Sequence, residues 1–481
     1  MMLHIPILRH GEPYESVEKF EIVHYATGDP VALVSQANSG MLVRDIHRVN
    51  SDVLDQYTVA ELITMTKKAG EIFIGGTVPV GNREQSFDDY IRDLSATTGM
   101  PITYCRNNAK KIYRMFNEID QVVAGLTRGF DLGILDRGYG EDDGRMLSFY
   151  REANVLGAVL PSNSPGVHSL WMPAVPLKTP LVLKPGREEP WSPYRIIQSF
   201  IAAGVPKEAF GFYPTDHGGA AELLRTAKRS MLFGGEATTR PYAKDPGVEL
   251  HGPGFSKVIL GDDVAENWEK HLDLMVSSVL ANGGRSCINA SGIWTPRHGR
   301  AIADAVAKEL AKVEALPADD PNAQIAAFAN SKMAEMISQS IDQQLATPGA
   351  VDLTEQHRGS ARLVRHGRVA YLLPTIVWCE EPVGRNSDTA HSLANKEYLF
   401  PYASVVECPT ADMPDAIGPT LIGSAITSDK SLIASLMASP NVDRLNIGPI
   451  PTWQISWDQP HEGNLFEHLY RQRAFQVEPA A

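Results

Sequence analysis

The sequence predicts an α/β protein built on a parallel sheet with helices on both faces. Three observations carry this: short apolar runs that read as buried strands, helix punctuation between them, and an average globular composition with no low-complexity tract. Asn154 to Leu160 (NVLGAVL) reads as the first strand and Leu181 to Lys184 (LVLK) as the second, each too short for a helix. Between them, Gly166 to Met172 can hold a short helix that Pro173 ends or kinks. After the second strand, Ser192 is placed to cap a helix with Pro193 in its first turn. Ile197 and Ile201 share one face of it, and Gly204 followed by Pro206 stops it. A strand at Phe210 to Tyr213, a helix near Ala220 to Ala227 and a strand at Met231 to Phe233 continue the alternation.

The next stretch reads as a second compact region. Val264, Trp268, Leu272, Met275 and Val279 fall at helical spacing and predict one long amphipathic helix ending at Asn282, Gly283 and Gly284. Another helix is expected over Ala301 to Val313. The Gly- and Asp-rich segment Gly133 to Gly144 (GILDRGYGEDDG), just before the first sheet strand, reads as a hairpin or linker.

Size and charge limit the function classes. At 481 residues the chain has room for two or three domains, and 43% hydrophobic with 21% charged residues is ordinary for a globular protein. Lys and Arg number 44 against 57 Asp and Glu, a formal charge of -13 that argues against nucleic acid or an anionic membrane and favours a small-molecule partner. Cys105, Cys287, Cys379 and Cys408 are far apart and form no CxxC or Cys/His cluster, so neither a metal site nor a disulfide framework is expected. The segment MMLHIPILRHG lacks the pattern of a signal peptide, and no apolar run approaches 18 residues. A reducing, cytoplasmic location is the expectation.

Several residues sit where chemistry is possible. Cys287 lies in NGGRSCINAS, where two glycines let backbone approach a substrate and Arg285 is positioned to favour a thiolate; its plain alternative is a small buried hydrophobe. Asn163, in PSNSPG after the first strand, can donate to an oxyanion or serve as a turn residue. Gly235, in FGGEA, opens a candidate helix whose N-H groups can meet phosphate, although GxGxxG is absent. Lys184 can bind ribose hydroxyls or phosphate, and Arg187 a 2'-phosphate; each is otherwise a solvated cation. Glu249 (VELHGPG) and Glu397 (NKEYLFPY) are candidate acid-base or ligand-holding carboxylates, or surface glutamates. His168, His251 and His461 can line a pocket or fill turns.

Taken in order, PSN at 161–163, LKP at 183–185, FGG at 233–235, VEL at 248–250, NGGRSC at 282–287, KEYLFP at 396–401 and the late Asn446 resemble the aldehyde dehydrogenase superfamily from about Arg151 to Asn446. The resemblance implies a Rossmann-type cofactor domain, an α/β catalytic domain and a small β oligomerisation element. It implies that Cys287 attacks the aldehyde carbonyl, that Asn163 and the Cys287 N-H hold the oxyanion, and that Glu249 activates the hydrolytic water. Lys184 would contact the adenosine ribose, Gly235 the pyrophosphate and Glu397 the nicotinamide ribose of NAD or NADP. The chain also departs from the pattern. Thr239 and Arg240 stand near an expected glycine, and Arg187 replaces an acidic residue, making NADP as good a candidate as NAD. Leu399 stands where a Phe packs on the nicotinamide. FGGEAT and HGPGFSKVIL look more like the acyl-CoA reductases of the superfamily.

The expectation is therefore an NAD(P)-dependent aldehyde dehydrogenase that makes a carboxylic acid through a cysteine thiohemiacetal and thioester. The alternatives are an acyl-CoA reductase using the same cysteine, and an inactive binding or structural subunit. The expected division is 1–130 with 150–250 for cofactor, 251–445 for catalysis, and 131–149 with 446–481 for assembly as a homodimer or homotetramer.

Overall fold

The alternation between 154 and 233 closes into a sheet in the computed structural model, which describes residues 2–384 and 390–476. Strands Leu156–Val159, Leu181–Lys184, Phe210–Phe212, Arg229–Phe233 and Val248–His251 are parallel. Counted in chain order, they lie fifth, fourth, first, second, third across the sheet. The order reverses beside Leu156–Val159, so the loops leaving the carboxyl ends of the strands diverge there and open a crevice. Ile7–Arg9 and Glu12–Tyr14 extend the sheet antiparallel beyond Phe210–Phe212. These two strands went unpredicted because three residues are too few to show a period.

A second sheet takes all seven of its strands from residues 257–447. Its parallel strands run Thr375–Cys379, Tyr402–Glu407, Gly292–Thr295, Lys257–Leu260, Thr420–Ile426 and Val442–Ile447, with Ala350–Asp352 antiparallel at the edge. Every residue of Gly292–Thr295 and Lys257–Leu260 is buried, Lys257 included, as in a parallel sheet covered on both faces. A third, small sheet joins Tyr139–Asp142, Arg145–Arg151 and Tyr470–Gln472. Phe149 fastens it, stacking on Phe130 at 5.1 Å and meeting Phe466 edge-on at 5.2 Å.

Three local expectations need correction. Helix Trp191–Ala203 starts one residue before the expected Ser192 cap. Glu189 caps it, accepting the Ser192 N-H at 2.9 Å, while the Ser192 hydroxyl is buried against Tyr90 at 2.7 Å. The long helix through Val264 and Val279 is broken into Asp262–Ala265, a 3-10 turn Trp268–His271 and helix Leu272–Leu280. Asn267, at φ -127° and ψ 31°, leaves helical geometry where Trp268 turns into the core, and spacing alone does not register a break that preserves the buried face. The 133–144 segment is a short helix, Gly133–Arg137, followed by a hairpin that turns at Asp143 and Gly144, both with positive φ. Among the described residues no helix is long and apolar enough to cross a membrane.

Candidate active site

The loop after helix Leu272–Leu280 is bent by three successive left-handed residues, Asn282 (φ 53°), Gly283 (φ 64°) and Gly284 (φ 66°). A side chain at Gly284 would come within 2.4 Å of the Pro401 nitrogen, so only glycine fits. Asn282 tolerates the strained backbone because its amide is fully used. It accepts from Asn108 Nδ2 at 2.7 Å and donates to the hydroxyls of Ser286 (2.9 Å) and Ser164 (3.3 Å). Asn108 in turn accepts the Gly166 N-H at 3.1 Å, tying helix Ile102–Asn117, the Asn163–Gly166 loop and the cysteine loop together. Asn163 completes the bracing by donating to the Arg285 carbonyl at 2.7 Å.

Cys287 rides on this braced loop, half-buried and unpaired in any disulfide. Its carbonyl accepts from Ser256 at 2.7 Å, and a side chain at Gly254 would sit 2.1 Å from that oxygen. The thiol faces two clefts. One is shared with Asn163, Gly235, Glu397 and Leu399; the other with Glu249, His251 and Lys111. Burial raises the thiol pKa well above its ordinary value, and the charges of Glu462 and Glu397 push it the same way. The backbone N-H groups of Cys287 and Ile288 lie against the sulfur and oppose the rise. The expectation that Arg285 favours the thiolate is overturned. Its buried guanidinium lies over the Phe328 ring at 5.2 Å, turned to a cation-π contact instead.

Glu249 belongs to a chain of three groups. His251 stands two residues on, on the same strand face, with Nε2 at 3.0 Å from Glu249 Oε1 and Nδ1 bonded to Glu462 Oε2. Its ring stacks on Phe233 at 4.3 Å and 11°. Burial alone would discharge this imidazole, but the two carboxylates outweigh it and hold its pKa near 10. Burial likewise favours protonating Glu249, and the bond to His251 overcomes it, leaving the carboxylate below its ordinary pKa. The second Glu249 oxygen would lie 2.8 Å from a side chain placed at Gly463, so the 461–463 segment closes over it. Glu462 and His461 come from a loop rich in Pro, Trp and polar residues, in which no pattern of spacing marked Glu462 as a site residue.

The cofactor candidates line the crevice above the sheet's switch point and beside it. Lys184 and Arg187 share a cleft with Phe20, Thr215 and Asp216. The Lys184 ammonium is without a hydrogen-bond partner among the described residues, and burial lowers its pKa. The exposed Arg187 lies over the Phe20 ring at 4.6 Å. Gly235 precedes the four-residue helix Glu236–Thr239, and a side chain there would meet only open space. Glu397 accepts the Phe255 N-H at 2.7 Å; burial raises its pKa to about 8, against the pull of the Phe255 and Gly254 N-H groups. Leu399 is exposed at the cleft mouth. His168 is fully buried against Glu189 at 2.8 Å and is structural. Asn446 sits on strand Val442–Ile447 and donates to Ser424 at 3.3 Å. No group of three His, Cys, Asp or Glu that could hold a metal ion is found among the described residues.

The sequence profile of the aldehyde dehydrogenase family matches residues 83–413, more than half the chain and spanning Asn163, Glu249, Cys287 and Glu397. The chain belongs to the aldehyde dehydrogenase family. With that membership comes its class of chemistry, NAD(P)-dependent oxidoreduction of an aldehyde. A Staphylococcus haemolyticus protein provisionally named an aldehyde dehydrogenase is 24% identical over 451 residues, 90% of this chain and 88% of its own. Two solved structures have the same fold. The NAD+ complex of an aldehyde dehydrogenase from Bacillus cereus has a TM-score of 0.75 at 15% identity, covering 99% of this chain and 97% of its own. An E. coli NADP-dependent enzyme has a TM-score of 0.75 at 17% identity, covering 98% of each chain.

Proposed function

We propose that this aldehyde dehydrogenase family member oxidises an aldehyde to a carboxylic acid through a thioester on Cys287. The observation that carries the reading is the placement of one thiol between two clefts, one lined by the cofactor candidates and the other by Glu249. The Cys287 thiol gives up its proton to solvent and its sulfur adds to the carbonyl carbon; a C-S bond forms and the carbonyl oxygen takes the negative charge. The backbone N-H of Cys287 and the Asn163 amide are the donors for that oxygen. NAD or NADP, when bound, would be the acceptor for the hydride that leaves this carbon as its C=O re-forms, and a thioester remains on Cys287. Glu249 then takes a proton from water, the hydroxide adds to the thioester, and the C-S bond breaks to return Cys287.

The crevice fits the dinucleotide. Lys184, whose ammonium has no internal partner, would hold the adenosine ribose, Gly235, beside open space, would lie near the pyrophosphate, and Glu397, which lines the same cleft as Cys287, would hold the nicotinamide ribose. Arg187 supports a 2'-phosphate and hence NADP. We read residues 1–130 with 150–250 as the cofactor unit, 251–445 as the catalytic unit, and the small sheet as an assembly element; residues 477–481 of the expected tail lie outside the described residues.

One observation favours the acyl-CoA reading. Glu249 is held by His251 and covered at Gly463, so its carboxylate is committed to an ion pair and is a weaker base for water. Absorbance at 340 nm separates the two. Aldehyde with NAD or NADP, without coenzyme A, should yield reduced cofactor if water releases the acyl group. Oxidation of reduced cofactor by acyl-CoA, with no aldehyde oxidation in the absence of coenzyme A, would establish the reductase instead.

A further inference from the structure

The cleft on the Glu249 side of Cys287 is walled by apolar side chains, among them Val122, Leu126, Leu170, Ile455 and Leu465. Into it projects Lys111, one helical turn beyond the Asn108 that ties helix Ile102–Asn117 to the cysteine loop. The lysine stem runs beside Gly166, with Cδ at 3.7 Å from where a side chain at that glycine would begin.

Among the described residues, the Lys111 ammonium has neither an ion-pair nor a hydrogen-bond partner. The nearby Arg444 differs in this respect, giving a guanidinium hydrogen to the Pro460 carbonyl at 3.1 Å. Glu249, the carboxylate lining the same cleft, is already bound to His251. A half-buried cation against an apolar wall, without a counter-ion, gains when a ligand supplies the opposite charge. Burial lowers its pKa, and Cys287, which lines the same cleft, opposes that shift.

We propose that Lys111 is the specificity-determining residue for an acidic substrate, an aldehyde whose short apolar stem ends in a carboxylate. This rests on the proposed aldehyde oxidation and adds its substrate class. The carboxylate pairs with the ammonium while the carbonyl carbon reaches Cys287, and the apolar wall covers the stem between them. One charge-assisted hydrogen bond in such a setting changes kcat/KM by about tenfold or more.

The test is the ratio of kcat/KM for glutaric semialdehyde to that for pentanal, measured at 340 nm with the full chain. The native enzyme should favour the semialdehyde by about tenfold or more, mainly through KM. Lys111→Met and Lys111→Gln should collapse the ratio toward one, and Lys111→Arg should retain most of it. A native ratio near one, or a ratio unchanged in a folded Lys111→Met or Lys111→Gln enzyme, overturns the proposal. A second readout does not need turnover. Glutarate should slow alkylation of Cys287 by iodoacetamide more than the uncharged glutaramide does, and Lys111→Met should erase the difference. If no aldehyde is oxidised but this charge-dependent protection is seen, the activity fails and the anion subsite stands. If aldehydes are oxidised without charge preference or protection, the subsite fails and the activity stands.

Discussion

Cys287 and Glu249 answer different questions at the scale of single residues. If Cys287 forms the thioester, Cys287→Ala should cut turnover by about a thousandfold or more while leaving cofactor binding, read by fluorescence titration, nearly intact. If Glu249 activates water, Glu249→Gln should slow release by roughly a hundredfold, so that an acyl-enzyme accumulates and is seen as added intact mass. His251 offers a pH readout. Facing it are Glu249, Glu462, His461 and His468, and only the two carboxylates are bonded to its ring. A raised imidazole pKa contributes stability that is complete below the unfolded value of 6.5 and is lost as pH rises through about 10. The lowered Glu249 pKa contributes stability that is present above 4.5 and lost on further acidification. The melting temperature of the native protein should therefore exceed that of His251→Asn most between about pH 4.5 and 6.5, with the gap closing toward pH 10; a pH-independent gap contradicts the ion pair. Cys287 and Asn163 stood out in the sequence because they follow a helix stop and a strand, and Glu249 because it ends an apolar approach before the Pro253-Gly254 turn. Lys111 and Glu462 did not, because only the fold brings a mid-helix lysine and a late-loop glutamate to the same thiol.

At the scale of elements, the cysteine loop is the part whose shape the chemistry depends on. Asn282 to Gly284 read as a helix stop in the sequence, and the structure makes that stop a run of left-handed residues braced from two other segments. Gly254→Ala places a methyl against the Cys287 carbonyl and should cost about 2 kcal/mol or more if the loop cannot yield, measured by urea denaturation, with activity lost out of proportion to stability. The parallel strands from 156 to 233 were legible because buried strands are continuous apolar runs. The break at Asn267 was hidden because the 3-10 turn keeps Trp268 and Met275 on the buried side.

At the scale of the whole molecule, two seven-stranded sheets dominate among the described residues, with smaller sheets of two or three strands beside them, and the sequence placed strands of the first large sheet where the structure does. The small sheet leaves Tyr139, Met146 and Tyr150 exposed. A surface of this kind on the proposed assembly element leads us to expect two or four times 52.6 kDa by light scattering, and a monomer at micromolar concentration would contradict that role. The measurement that tests the central claim most directly is reduction of NAD or NADP at 340 nm by the purified protein with an aldehyde and no coenzyme A, run beside Cys287→Ala. The account predicts reduced cofactor from the native protein and essentially none from the variant. Comparable rates from both, or no reduction by the native protein despite bound cofactor, would contradict it.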